Sequence, residues 1–98
     1  MALQIKWNRQ AILQFDNAIA YIEKDSPDNA ERVRTNILLR ITELSTHPEK
    51  YNPDKFKLNN DGSFRAFEIY SYRVSYRYIN DEIWILRIRH TKMNPKEY

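Results

Sequence analysis

Residues 64–90, FRAFEIYSYRVSYRYINDEIWILRIRH, decide the fold. Three runs in this stretch, Phe64 to Tyr70, Tyr72 to Ile79 and Ile83 to Arg89, are rich in aromatic and β-branched residues and read as strands. Asn80-Asp81 suits a tight hairpin turn, because both residues tolerate positive φ. Tyr70-Ser71-Tyr72 is the other link, with a less distinctive turn signal. The three runs therefore form an antiparallel meander. Side chains alternate across a strand, so Tyr72, Val74, Tyr76 and Tyr78 share one face while Arg73, Ser75 and Arg77 share the other. In the last strand Trp84, Leu86, Ile88 and His90 fall on one face, and Ile83, Ile85, Arg87 and Arg89 on the other. With the apolar faces packed inward, the opposite face collects Arg73, Arg77, Arg87 and Arg89, and Arg65 can join them.

The preceding half supplies the inward packing. Leu3, Ile5 and Trp7 alternate with polar residues, as in a short strand. Asn8 is a plausible N-cap. Ile12, Phe15, Ile19 and Ile22 then form one apolar stripe, which predicts a helix of about 16 residues. Ser26 can cap a second helix, with Pro27 at its first position, where no amide donor is missed. Ala30, Val33, Ile37, Ile41 and Leu44 give that helix its stripe, and His47-Pro48 should end it. So short a break makes the two helices an antiparallel hairpin. Residues 48–63 are polar and irregular, with the only glycine, Gly62; Phe56 and Leu58 are candidate anchors of a brief strand. The expected class is α+β: an N-terminal strand, a helical hairpin, then a three-stranded meander whose sheet the hairpin covers.

Ninety-eight residues make one domain, spanning 1–98. Thirteen per cent aromatic residues argue against disorder. No apolar run approaches the roughly 18 residues of a membrane span. The opening residues lack the pattern of a signal peptide, and there are no cysteines for disulfides or thiolate metal sites. A cytoplasmic location is expected. The net charge of +3 is unevenly spread: residues 1–49 sum to −1 and residues 50–98 to +4. A basic half-domain favours an acidic partner, whether RNA, DNA or an acidic protein segment.

Arginine forks match phosphates in two-point contacts, so the one-sign arginine face is an anion-binding layout. A merely solubilising face usually mixes signs. Other constellations are poorer. No histidine pair or carboxylate cluster has metal-ligand spacing, and no Gly-rich phosphate loop is present. No metal or cofactor is expected. The meander tyrosines, Tyr76 above all, are placed to be core, and His90 alone reads as a packed strand end.

The runs Phe64-Arg65-Ala66-Phe67-Glu68, Tyr72-Arg73-Val74-Ser75-Tyr76-Arg77 and Ile85-Leu86-Arg87-Ile88-Arg89-His90 resemble the RelE/ParE toxins of bacterial type II toxin–antitoxin systems. Trp7 before a helix, Asp25-Ser26-Pro27 between helices, and Leu44 with Pro48 after the second extend the resemblance over nearly the whole chain. The resemblance implies the fold read above and a toxin neutralised by a cognate antitoxin in a hetero-oligomer, as in plasmid stabilisation systems. RelE-like members cut messenger RNA on the ribosome without a metal; ParE-like members inhibit DNA gyrase. In the nuclease reading, Arg73 matches an arginine that stabilises the scissile phosphate, and His90 matches a general acid. Arg65 lies near a basic catalytic position, and Tyr98 corresponds to a C-terminal tyrosine. Arg77, Arg87, Arg89 and Lys92 would bind the target. The paired lysines of RelE-like enzymes are absent around Arg65, and no glutamate base matches near Phe56-Lys57-Leu58. The gyrase-inhibitor reading is therefore slightly favoured over the endonuclease, with an inactive, antitoxin-binding relative as a third possibility.

Overall fold

The structure, a computed structural model, describes residues 2–98. Its elements are β1 (Gln4–Trp7), α1 (Arg9–Asp25), α2 (Pro27–Glu43), β2 (Phe64–Ile69), β3 (Tyr72–Ile79) and β4 (Glu82–His90). The α+β order is the expected one. The meander is widened to four strands, in the order β1-β4-β3-β2, because β1 pairs parallel with β4. No helix among the described residues is long and apolar enough to cross a membrane.

Local chemistry fixes the helix ends. The Ala11 amide donates to Asn8 Oδ1 at 2.7 Å, which caps α1. Ser26 serves both helices. Its amide donates to Ile22 O (3.0 Å) and closes α1, while its hydroxyl oxygen accepts from the Asn29 amide (3.2 Å) and opens α2. Pro27 follows as the first residue of α2. At its far end, α2 stops at Glu43 rather than at His47-Pro48. The Ser45 and Thr46 hydroxyls donate to Thr42 O and Glu43 O, and the Leu44 amide bonds Ile41 O, so tight turns replace the last helical turn.

The hairpin covers one sheet face. Ala30, Val33, Ile37, Ile41 and Leu44 are all buried, as their spacing predicts. In α1 the predicted stripe holds at Phe15, Ile19 and Ile22, but Ala11 is buried in place of Ile12, which is 45 % exposed. One residue is about 100° around a helix, so Ile12 lies at the edge of the stripe. Opposite the helices stand Phe67, Val74, Tyr76, Ile83, Ile85 and Ile88, all buried. The Tyr76 hydroxyl donates to Pro48 O at 2.8 Å and ties the start of the irregular segment to the sheet.

The irregular segment forms no strand at Phe56 or Leu58. A single bridge at Pro53 opposite Arg65 lays it along β2 instead, with the Asp54 amide on Phe64 O (2.8 Å). Both hairpins turn through two residues with positive φ: Asn80 and Asp81 (52° and 59°), and Tyr70 and Ser71 (52° and 65°). The second pair adopts the conformation without Asn or Gly, as the more costly of the two turns.

Candidate functional site

The arginine face arises from an irregularity in β4. Tyr76 pairs with Ile85, but Ser75 pairs with Arg87, so Leu86 is an extra residue on β4. Strict alternation would put Ile83 and Ile85 on the same side as Arg87 and Arg89. The bulge reverses the phase. Ile83, Ile85, Ile88 and His90 lie opposite Tyr78, Tyr76, Val74 and Tyr72 on the helix side, while Trp84, Arg87 and Arg89 join Arg77, Ser75 and Arg73 on the other. The face predicted for Trp84, Ile83 and Ile85 is thereby corrected, while that of Ile88 and His90 and the grouping of Arg73, Arg77, Arg87 and Arg89 stand.

Arg65 does not join that grouping. It pairs with Tyr76 and shares the phase of Phe67, because Phe64, Ala66 and Glu68 are the β2 residues aligned with Arg77, Ser75 and Arg73. Its guanidinium donates to Tyr51 O (2.6 Å) and lies 3.6 Å from the Glu49 carboxylate. His90 is also off the face. Its ring packs edge-on against Tyr72 at 5.1 Å, and its Nδ1 accepts from the Lys92 amide at 3.0 Å. Lys92 itself is exposed beyond the end of β4.

On the face, each arginine is already engaged. Arg73 donates to Asp54 Oδ1 (2.8 Å) and to Glu68 Oε2 (3.0 Å), and its guanidinium lies over Phe56 at 4.9 Å. Arg77 donates to Ser63 Oγ (2.9 Å), lies 3.6 Å from Asp61, and covers Phe64 at 4.5 Å. Arg87, only 8 % exposed, donates to Lys96 O (2.6 Å) and stacks on Tyr98 at 4.0 Å. Arg89 makes a long contact of 3.4 Å to Asn94 O. The sequence shows no acid interleaved with the arginines of β3 and β4, but Glu68 and Asp54 bring two carboxylates to Arg73 from outside those strands.

Asp54 is the residue that pattern reading misses. It is 2 % exposed and accepts from Arg73, from the Phe56 amide (3.1 Å) and from the Tyr98 hydroxyl (2.7 Å). Burial pushes its carboxyl up, but the bonds from Arg73, Tyr98 and the Phe56 amide outweigh that and hold it below its ordinary range. A burial-driven rise, reinforced by the hydrogen bond to Asp54, keeps the Tyr98 phenol protonated. Burial, with repulsion from Arg89 and Arg73, draws the Arg87 guanidinium down. Nothing in the motif pattern marks Asp54; the available hint is that buried arginines need counter-charges and that Asp54 lies in the segment running beside β2.

A cavity of about 300 Å³ opens beside this cluster, lined among others by Arg73, Ser75, Arg87 and Arg89, and bordered by His90. Among the described residues, Arg73 Nε is buried there without a hydrogen-bond partner. The arrangement can hold negative charge. For acid–base chemistry it offers the His90 imidazole at its edge, but no free base, because Tyr98 keeps its proton and Asp54 is tied up by its donors.

Known proteins place the chain in context. The family described as "ParE toxin of type II toxin-antitoxin system, parDE" matches residues 5–95. The chain is 31% identical over 87 residues to the Sinorhizobium fredii protein called "Putative toxin Y4kP", covering 89% of this chain and 86% of that one. A structure of the chromosomal ParDE toxin–antitoxin system from P. aeruginosa superposes with a TM-score of 0.73 at 21% identity, over 93% of this chain and 98% of that chain. A free, mutant E. coli RelE toxin gives 0.64 at 14% identity, over 96% and 88%. A chain of the RelBE2 toxin–antitoxin complex from Mycobacterium tuberculosis gives 0.56 at 16% identity, over 92% and 99%. The structural likenesses report the fold, and the family match and the Sinorhizobium relative report descent: the chain belongs to the ParE toxins of type II toxin–antitoxin systems.

Proposed function

We propose that this chain arrests growth by binding and inhibiting DNA gyrase in the cytoplasm, as a protein–protein inhibitor, and that a cognate antitoxin in a plasmid-stabilisation type of system neutralises it. One observation carries the reading: the arginines that would stabilise a scissile phosphate are spent on the protein's own groups, Arg73 and Arg77 on carboxylates and Arg87 and Arg89 on backbone carbonyls. Cleavage by a 2′-hydroxyl needs a base, an acid and free cations around one phosphate. Here Arg65 lies on the helix-side phase of the sheet, His90 reaches the cavity edge with its ring packed on Tyr72 and its Nδ1 taken by the Lys92 amide, and Tyr98 holds its proton. The family match to parDE toxins points the same way.

The endonuclease reading keeps one supporting observation, the cavity lined together by Arg73, Arg87, Arg89 and His90. Expression of the chain alone, with RNA 5′ ends and gyrase-dependent DNA breaks mapped in the same cells, separates the readings. Breaks with intact messages are expected. New 5′ ends at ribosome-bound codons without breaks would replace gyrase by messenger RNA as the target. Unimpaired growth would leave only the antitoxin-binding relative.

A further inference from the structure

Residues 91–98 leave β4 and fold back across the arginine face. Residues 91–97 are all exposed and form no regular structure; Tyr98 alone is half-buried. Segments with few buried contacts open locally at far lower cost than the whole fold. What holds this segment is concentrated at one residue. Tyr98 donates its amide to Phe56 O (3.1 Å) and accepts from the Leu58 amide (2.7 Å), while its hydroxyl donates to Asp54 and its ring lies under Arg87. Between the two ends, Arg87 and Arg89 donate to the Lys96 and Asn94 carbonyls.

The closed arrangement also carries costs. Arg73 lines the cavity that the segment helps to wall, and its Nε is buried without a partner among the described residues. Arg73, Arg87 and Arg89 crowd there, and the segment meets the last two with neutral groups, the Lys96 and Asn94 carbonyls and the Tyr98 ring. Opening would give water to the orphaned Nε and relieve the crowding; closing gains the Tyr98 contacts. Such opposed terms make a two-position element.

We propose that residues 91–98 are a strap latched by Tyr98, and that the closed strap masks Arg87 and Arg89 from acidic peptide partners. The inference concerns the chain's own conformations and holds whichever target the toxin has. Removing one oxygen, in Tyr98→Phe, breaks the bond to Asp54 and keeps the ring under Arg87. Hydrogen exchange followed by mass spectrometry on the full chain should show the Leu58 and Tyr98 amides exchanging about tenfold faster in the variant, from loss of one charge-assisted bond. The thermal midpoint should shift by only a few degrees. Poly-L-glutamate, used as the acidic probe at low salt, should bind the variant about fivefold more tightly than the parent. Asp54→Asn, which keeps the shape at the latch, should loosen the same amides. Unchanged exchange at Leu58 and Tyr98 in both variants would overturn the latch. Faster exchange with no gain in poly-glutamate binding would overturn the masking.

Discussion

At the scale of single residues, Asp54 ties three segments together through one carboxylate: the loop by the Phe56 amide, β3 by Arg73, and the closing segment by Tyr98. Removing the charge leaves Arg73 with the half-exposed Glu68 as its one carboxylate partner. Asp54→Asn should therefore cost about 2 kcal/mol at neutral pH, read as a lower urea midpoint at unchanged slope. The pH dependence follows from the sign of the shift. The folded carboxyl titrates below its ordinary value, so near pH 4 the unfolded chain binds more protons. The stabilisation is complete above that range and is lost as pH falls through the folded value. Urea midpoints between pH 5 and 2.5 should drop steeply in the parent and less in Asp54→Asn; parallel curves would remove Asp54 from the acid limb. Tyrosine works in the opposite direction. Burial pushes the Tyr76 phenol up to about 12, and Tyr98 is pushed up as well. Above about pH 10 the unfolded chain loses protons that the native one keeps, so stability falls as pH rises, and Tyr98→Phe should soften that alkaline limb.

At the scale of elements, the turns and the bulge show what a linear pattern contains. The Tyr70-Ser71 turn places two ordinary residues at positive φ, 52° and 65°. The left-handed region costs a non-glycine residue roughly 1–2 kcal/mol, partly offset by the extra freedom glycine has when unfolded. Ser71→Gly should then raise stability by about 0.5–1 kcal/mol, measurable as a higher denaturant midpoint; a lower midpoint would mean that the turn carries no strain. Both helices, the meander and the Ser26 cap of α2 were legible because they rest on local chemistry and strong periodicity. The sides taken by β2 and β4 were not. In β2, Phe64, Ala66, Phe67 and Ile69 put apolar residues on both phases, so only pairing with β3 decides that Arg65 turns away from the arginines. In β4, an extra residue at Leu86 is invisible to alternation, and the arginines grouped correctly although Ile83 and Ile85 were placed on the wrong side. Asp54 was missed for the same physical reason: its partners are 19 and 44 residues away in sequence.

For the molecule as a whole, the two sheet faces divide the labour. The helix side holds the core and, at its end, His90 with its ring against Tyr72. The opposite side holds the arginines, Asp54 and the Tyr98 segment. A nuclease would need His90 and Arg73 to act on the same phosphate, with a proton passing to the leaving oxygen. A protein–protein inhibitor needs no proton transfer, and its dependence on His90 should reduce to packing. His90→Ala removes an edge-on aromatic contact worth about 1 kcal/mol, which a folded domain of this size tolerates. Under the gyrase reading the variant should still arrest growth and still produce gyrase-dependent breaks, with a modestly lowered thermal midpoint. An enzyme losing its general acid would instead fall by a factor of about 10²–10⁴. Loss of toxicity in His90→Ala while the purified variant remains folded would therefore count against the inhibitor and return the arginine face to phosphate chemistry.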